Sequence, residues 1–244
     1  MVRRVLHLTA PYSNGGIMNR HVGLLFALGV LAMATMTSAI IAQQPAPGGR
    51  GAAQQPVTMV FKEAWKDTST MALMSQSYVT NPDLELKMYG TGKEDFSVTN
   101  EGGVPHIWSG DCASSCALAL RHKDSFIDLT GKAKIRWYMK TSGFHEIRPV
   151  LKLADGTWLI GDHVDADTID YRQSEFYLSG VKWLKLDIIK VQTKGTLLDK
   201  VDLTRVDEIG FADLTPGSGH GTGGYSDMGW IEVYGKAVKR DAAK

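Results

Sequence analysis

Between residues 134 and 140 the chain reads KIRWYMK. Ile135, Trp137 and Met139 fall on one side of an extended backbone and Arg136, Tyr138 and Lys140 on the other, the period of two expected of a half-buried strand. The alternation returns in WLKLDII, 183–189, and GWIEVYG, 229–235, with VDEIGFADL, 206–214, between them. In 229–235, Ile231 and Val233 are expected to face the core while Trp230, Glu232 and Tyr234 face away. In 183–189, Leu184, Leu186 and Ile188 form the apolar side and leave Trp183, Lys185 and Asp187 opposite. RPVLKL, ADGT and WLIG, 148–161, read as a strand, an Asp-Gly turn and a returning strand, the pattern of a hairpin. One short segment, TSTMALMSQSYV at 68–79, has a helical composition. Short strands separated by Gly, Asp and Pro turns predict an all-β fold, a jelly-roll β-sandwich of two antiparallel sheets.

The segment before these strands has a different character. Val22–Ala42 is apolar and uncharged, follows Arg20 and His21, and ends in small residues. Residues 1–42 therefore read as a secretory signal peptide, with Met18 as an alternative start and cleavage near Ala39 or Ala42. An uncleaved anchor is the competing reading, since the run is just long enough to span a bilayer. QQPAPGGRGAAQQP, 43–56, reads as a flexible linker, 57–238 as one domain, and 239–244 as a tail. The net charge of +1 becomes −2 once Arg3, Arg4 and Arg20 leave with residues 1–39, so charge gives no argument for a nucleic-acid partner. A periplasmic or extracellular location of bacterial type follows, and in that oxidising setting Cys112 and Cys116 of DCASSC are expected to form a local disulfide.

GHGTGG, 219–224, matches the glycine pattern of dinucleotide-binding loops. That motif requires a helix starting at the glycines and a later acid. Here the strand-like YSDMGWIEVYG follows, so the glycines read as a loop between antiparallel strands.

Three groups of residues could carry chemistry. Arg136, Tyr138, Trp183, Asp187, Trp230 and Glu232 lie on the polar sides of the alternating strands. Flat rings stack on the C–H faces of sugars while neighbouring charged groups bond hydroxyls; as plain cross-strand pairs, the same rings would only hold a sheet together. Asp162, Asp165, Asp167 and Asp170 crowd GDHVDADTID. They could gather a structural calcium, but the spacing is not that of an EF-hand and the stretch reads first as a solvated acidic loop. His106, Trp108, His145, Asp162 and His220 could form a loop rim, with Glu146 and Arg148 nearby, as a glycan-active hydrolase or lyase would need. His145-Glu146 lacks the second histidine of a zinc-protease helix.

FKEAW, IDLTGKAKIRWYMK, VKWLKLDI, VDLTRVDEIGFADL and the closing GWIEVYG, in that order, resemble the galactose-binding-domain-like jelly rolls. The resemblance covers about residues 57–238. It implies carbohydrate binding, either as a module or attached to a glycan-acting enzyme. The expectation is thus a secreted, non-catalytic carbohydrate-binding module that stacks sugars on Trp183 and Trp230, with polar contacts from Tyr138, Arg136, Asp187 and Glu232. A glycan-active enzyme and an envelope protein-interaction module are the alternatives.

Overall fold

The computed structural model describes residues 56–110, 112, 114–143, 145–166, 168, 170–214 and 224–240, with the backbone alone for Lys194. Residues 1–55, which hold the expected signal peptide and nearly all of the expected linker, the tail beyond residue 240, His220 and Asp167 lie outside these residues.

The chain forms strands β1 (Thr58–Glu63), β2 (Ala72–Leu73), β3 (Leu84–Gly90), β4 (Ser97–Glu101), β5 (Val104–Trp108), β6 (Cys116–His122), β7 (Ser125–Asp128) and β8 (Lys134–Ser142). They are followed by β9 (Glu146–Leu153), β10 (Trp158–Gly161), β11 (Asp165–Ala166), β12 (Arg172–Tyr177), β13 (Trp183–Asp187), β14 (Gln192–Leu198), β15 (Val206–Asp213) and β16 (Tyr225–Lys239). Every pairing is antiparallel. A first sheet runs β2-β4-β5-β16-β8-β12, with β1 on the later half of β16. A second runs β3-β6-β15-β9-β10-β13-β14, with β11 on β9. β16 joins them: residues up to Gly235 pair in the first sheet, and Lys236–Lys239 pair with β7, which reaches β15 in the second. The fold is an all-β jelly-roll sandwich of two antiparallel sheets.

Alternation explains the layers. Ile135, Trp137 and Met139 of β8 are fully buried, as are Ile231 and Val233 of β16. They share one core with Leu118 and Leu120 of β6, Leu151 of β9, and Ile209 and Phe211 of β15. Each such side chain contributes roughly 1.5–3 kcal/mol on burial. Trp137 is completed by its ring nitrogen donating to Asp165 Oδ2 at 2.7 Å. The Asp-Gly turn forms as read: Gly156 adopts φ +86°, Asp155 Oδ1 accepts from the Thr157 amide at 2.8 Å, and β9 returns as β10.

Two local readings are corrected. Residues 68–79 form no α-helix; they contain β2 and one 3-10 turn, Gln76–Tyr78. The segment shows no continuous apolar stripe, and its buried residues, Met74 and Val79, serve the sandwich core instead. Trp183 is in the main core at 4% exposure, whereas Leu184 and Leu186 join a second apolar cluster with Ala117, Ala119, Val150, Trp158, Ile160, Val191 and Ala212. That cluster lies on the outer face of the second sheet, so β13 is apolar on both sides and its alternation does not reveal which side faces inward. The Cys112–Cys116 disulfide closes a loop immediately before β6, with both cysteines buried. Among the described residues no helix is long and apolar enough to cross a membrane.

Candidate functional site

The outer face of the first sheet collects most of the chain's chemistry. β4 and β5 turn at Gly102 and Gly103, whose φ values of +60° and +86° suit a tight hairpin that residues with β-carbons resist. Asn100 Oδ1 accepts from the Gly103 amide at 2.9 Å and fixes that turn. Its register pairs Thr99 with His106 and Ser97 with Trp108, while Trp108 also faces Asp227 of β16.

A bulge in β16 decides which residues reach this face. Asp227 pairs with Lys140, Met228 with Met139, and Trp230 with Tyr138, leaving Gly229 as the extra residue. Met139 and Met228 point into the core at 0% exposure. Without the extra residue, Asp227 and Trp230 would lie on opposite faces; with it, both point outward. Gly229 also answers a steric need, since a β-carbon there would stand 3.1 Å from Tyr138 Cδ1. The buried Trp65 indole donates to the Met228 carbonyl at 2.7 Å, which satisfies the bulged backbone.

The middle of the face is a row of parallel rings. Tyr171 stacks on Tyr138 with centroids 5.1 Å apart, and Tyr138 neighbours Trp230 at 5.8 Å with only 10° between their planes. Lys62 Nζ covers Trp230 at 4.6 Å from its centroid. Glu232 accepts from Lys62 at 2.9 Å, from Arg136 at 3.0 Å and from the Tyr234 hydroxyl at 2.9 Å. Burial would raise its carboxyl, but Lys62, Tyr234 and Arg136 together hold it below the usual range.

At one end of the row lies a cavity of about 280 Å³. Trp108, Tyr225 and Met71 supply apolar lining, and Glu101, His106, Lys140 and Asp227 the charged and polar part. The Lys140 ammonium sits between the Tyr171 and Tyr225 rings, 5.1 Å from each centroid. It bonds Glu101 at 2.5 Å and lies 3.6 Å from Asp227 Oδ2. The hydrogen bond from Lys140 keeps the Glu101 carboxyl low. Asp227, only 2% exposed, is pushed up to about 6 by burial, against the pull of His106 and Lys140. Burial and the nearby Asp227 and Glu101 raise the Tyr171 phenol. Neither Asp227 Oδ1 nor the Tyr171 hydroxyl has a hydrogen-bond partner, although both are buried. Native proteins rarely leave such atoms open, because each costs roughly 1–3 kcal/mol in lost hydration.

The structure brings Arg136, Tyr138, Trp230 and Glu232 together on this face, with His106 and Trp108 at the cavity. The remaining expected site residues lie elsewhere. Trp183 is packed into the main core at 4% exposure rather than laid open on a sheet face, and Asp187 belongs to β13 of the other sheet. His145 is 1% exposed on the core side, where its Nδ1 meets Asp213 Oδ2 at 2.5 Å and Ser109 donates to the same oxygen. Asp162 is exposed and accepts from the Lys182 amide at the β10–β13 edge. The expected loop rim therefore does not converge: His106 and Trp108 are at the cavity, and His145 and Asp162 are not.

The acidic stretch is divided as well. Asp165 turns inward, where Arg172, Trp137 and His163 occupy its two oxygens. Asp170 is exposed. Among the described residues no group of three or more His, Cys, Asp and Glu side chains is placed to hold a metal.

Lys140, Glu101 and Tyr171 were not expected as site residues, and Tyr225 and Asp227 were expected only as part of the glycine-rich loop near a ligand, whereas both lie in β16. A glycine inside an alternating strand is the one signal that could have raised Asp227, because it marks a bulge and a change of face.

No protein-family profile matches the sequence, and no curated protein matches it. The solved structures it resembles include PfGH50B, at 11% identity and TM-score 0.39 over 65% of this chain. The chain spans 23% of that protein. A family 29 carbohydrate-binding module from Piromyces equi gives 14% identity and TM-score 0.42, over 74% of this chain and 91% of the module. A family 11 carbohydrate-binding module from Clostridium thermocellum, in complex with a β-1,3-1,4-mixed-linked tetrasaccharide, gives 14% identity and TM-score 0.37, over 73% and 98%.

Proposed function

We propose that the outer face of the first sheet binds carbohydrate without cleaving it, and that the protein acts outside the cytoplasm as a secreted binding module. The carrying observation is the cavity beside the ring row: an indole and a phenol line it, and a buried acid with one oxygen free of hydrogen bonds stands among its polar groups. Apolar lining with a few convergent polar groups is the chemistry a sugar ring asks of a protein, since its C–H faces are apolar and its rim is hydroxyl. The apolar, uncharged run before the folded residues and the Cys112–Cys116 bridge support export.

The ring row plays a second part. Trp230 has one face against Tyr138 and the other under Lys62, so sugar stacking there requires Lys62 to move. Lys62 is exposed and its ion pair with Glu232 is of the surface kind, worth about 0–1 kcal/mol. Its displacement is therefore cheap, and the row serves as an extension of the cavity for a longer chain.

Affinity electrophoresis of the purified protein through gels containing soluble polysaccharides tests this reading. Retardation by at least one glycan, reduced at least tenfold in affinity by Trp108→Ala, is the expected result. Free migration through every gel would remove the reading and turn attention to a protein partner, and shortening of the polysaccharide would replace it with an enzyme.

A further inference from the structure

The unpartnered groups of the cavity narrow the ligand. His106 Nδ1 lies 2.9 Å from the Val104 carbonyl, an acceptor, so Nδ1 carries a hydrogen, and in the tautomer that leaves Nε2 bare this second nitrogen is an acceptor. Nε2 stands 3.7 Å from Asp227 Oδ1, beyond hydrogen-bond distance, and Oδ1 has no partner. His106 Nε2 and Asp227 Oδ1 thus face each other without a hydrogen bond between them, and the Tyr171 hydroxyl stands beside Asp227. His106 and Asp227 are 3% and 2% exposed, so bulk water does not satisfy them.

The cavity has no spare positive charge. Lys140 is its one cation among the lining residues, and that ammonium is already bonded to Glu101, close to Asp227 and boxed between two rings. A carboxylate or sulfate entering here would meet Glu101 and Asp227 with no free cation to receive it. Buried ionic groups without partners are strongly disfavoured.

Resting on the carbohydrate reading, we infer that this cavity selects neutral saccharides: two neighbouring hydroxyls of one sugar unit donate to His106 Nε2 and Asp227 Oδ1, while uronate and sulfated sugars are rejected. The apolar ring face of that unit lies on Trp108 and Tyr225. Tyr171 completes the set, because its open hydroxyl beside Asp227 can donate to or accept from the same diol.

Calorimetric titration of the purified protein with soluble neutral glycans (mixed-linkage β-glucan, arabinoxylan free of uronate, agaro-oligosaccharides) and with alginate, polygalacturonate and a sulfated galactan tests the assignment. The expected result is binding within the neutral set and at least tenfold weaker binding of every acidic glycan. Asp227→Asn is the informative variant. Its amide N–H would donate to His106 Nε2 and close the gap that the hydroxyls fill, so affinity for the bound neutral glycan should fall at least tenfold while the fold persists by circular dichroism. Equal or tighter binding of an acidic glycan would overturn the selection and leave the carbohydrate reading standing. Unchanged affinity in Asp227→Asn would overturn the role of the two acceptors, showing that water alone occupies the gap. Absence of binding to all glycans would remove the carbohydrate reading and this inference with it.

Discussion

Asp227 should make the protein less stable as the pH rises through the mildly acidic range. Burial moves its carboxyl from the ordinary 3.8 to about 6 in the folded chain. Between those values the folded state holds a proton that the unfolded state has lost, so stability falls with rising pH and is flat above the folded value. A shift of this size is worth about 3 kcal/mol at 1.36 kcal/mol per unit. Asp227→Asn replaces the acid by a neutral isostere that has no proton to lose. The variant should match the native chain near pH 4 and exceed it by up to about 3 kcal/mol at pH 7. For a domain of this size that is a rise in melting temperature of roughly 6–12 °C at most. Urea denaturation of both proteins from pH 4 to pH 8 gives the difference curve directly, and other titrating groups cancel from it. A difference that stays level across this range, or a variant that is less stable at pH 7, would refute the claim that Asp227 is held in an environment hostile to its charge. The same measurement shows that lost glycan affinity in this variant is not lost folding.

Two further perturbations separate core from site. Trp183→Ala should destabilise the protein by about 3–5 kcal/mol, as large-to-small changes in a core do, while protein still folded below its transition keeps its glycan affinity; lost affinity with unchanged stability would return Trp183 to the site. Asp165 should show the opposite pH behaviour to Asp227: burial would raise its carboxyl, but hydrogen bonds from His163, Trp137 and Ser174 hold it at about 2. Its contribution, roughly 2–3 kcal/mol, is present above pH 4 and lost as pH falls from 4 towards 2, so Asp165→Asn should flatten that limb of an acid denaturation curve.

The fold was legible wherever one side of a strand meets water. β8 and the Trp230–Tyr234 part of β16 alternate cleanly, and Ile135, Trp137, Met139, Ile231 and Val233 are buried as their parity demands. β13 was misread because Leu184 and Leu186 are apolar for a reason of their own, the second cluster on the outer side of the second sheet. Parity shows that two faces differ without saying which one is inside. Of the site, the pairing of Trp230 with Tyr138 and of Glu232 with Arg136 was legible for the same reason. Asp227 was not. Counting back from Trp230 in twos places Asp227 with the core residues, and a carboxyl would be a poor core residue, so parity alone offers no reason to set it in a strand facing the rings. The bulge at Gly229 resolves that conflict, and it depends on Trp65, 163 residues away in sequence, meeting the Met228 carbonyl. No local pattern reports a contact of that range.

The energetics of this face argue for use rather than support. A chain shaped by stability alone gains nothing from Asp227. An asparagine there would fit the same volume, satisfy His106 and carry no ionisation penalty. The Tyr171 hydroxyl is open in the same place, and a phenylalanine would keep its stacking on Tyr138. Ring row and cavity also differ in how they are held. Lys62 covers Trp230 from solvent and can leave, whereas Lys140, at 7% exposure, is fixed between two rings and two carboxylates. Positions that violate local economy mark function when a rigid surround maintains them. Here the fixed part is the cavity and the adaptable part is the row, so on the proposed carbohydrate reading the cavity would set which sugar is accepted and the row would add grip along the chain that follows.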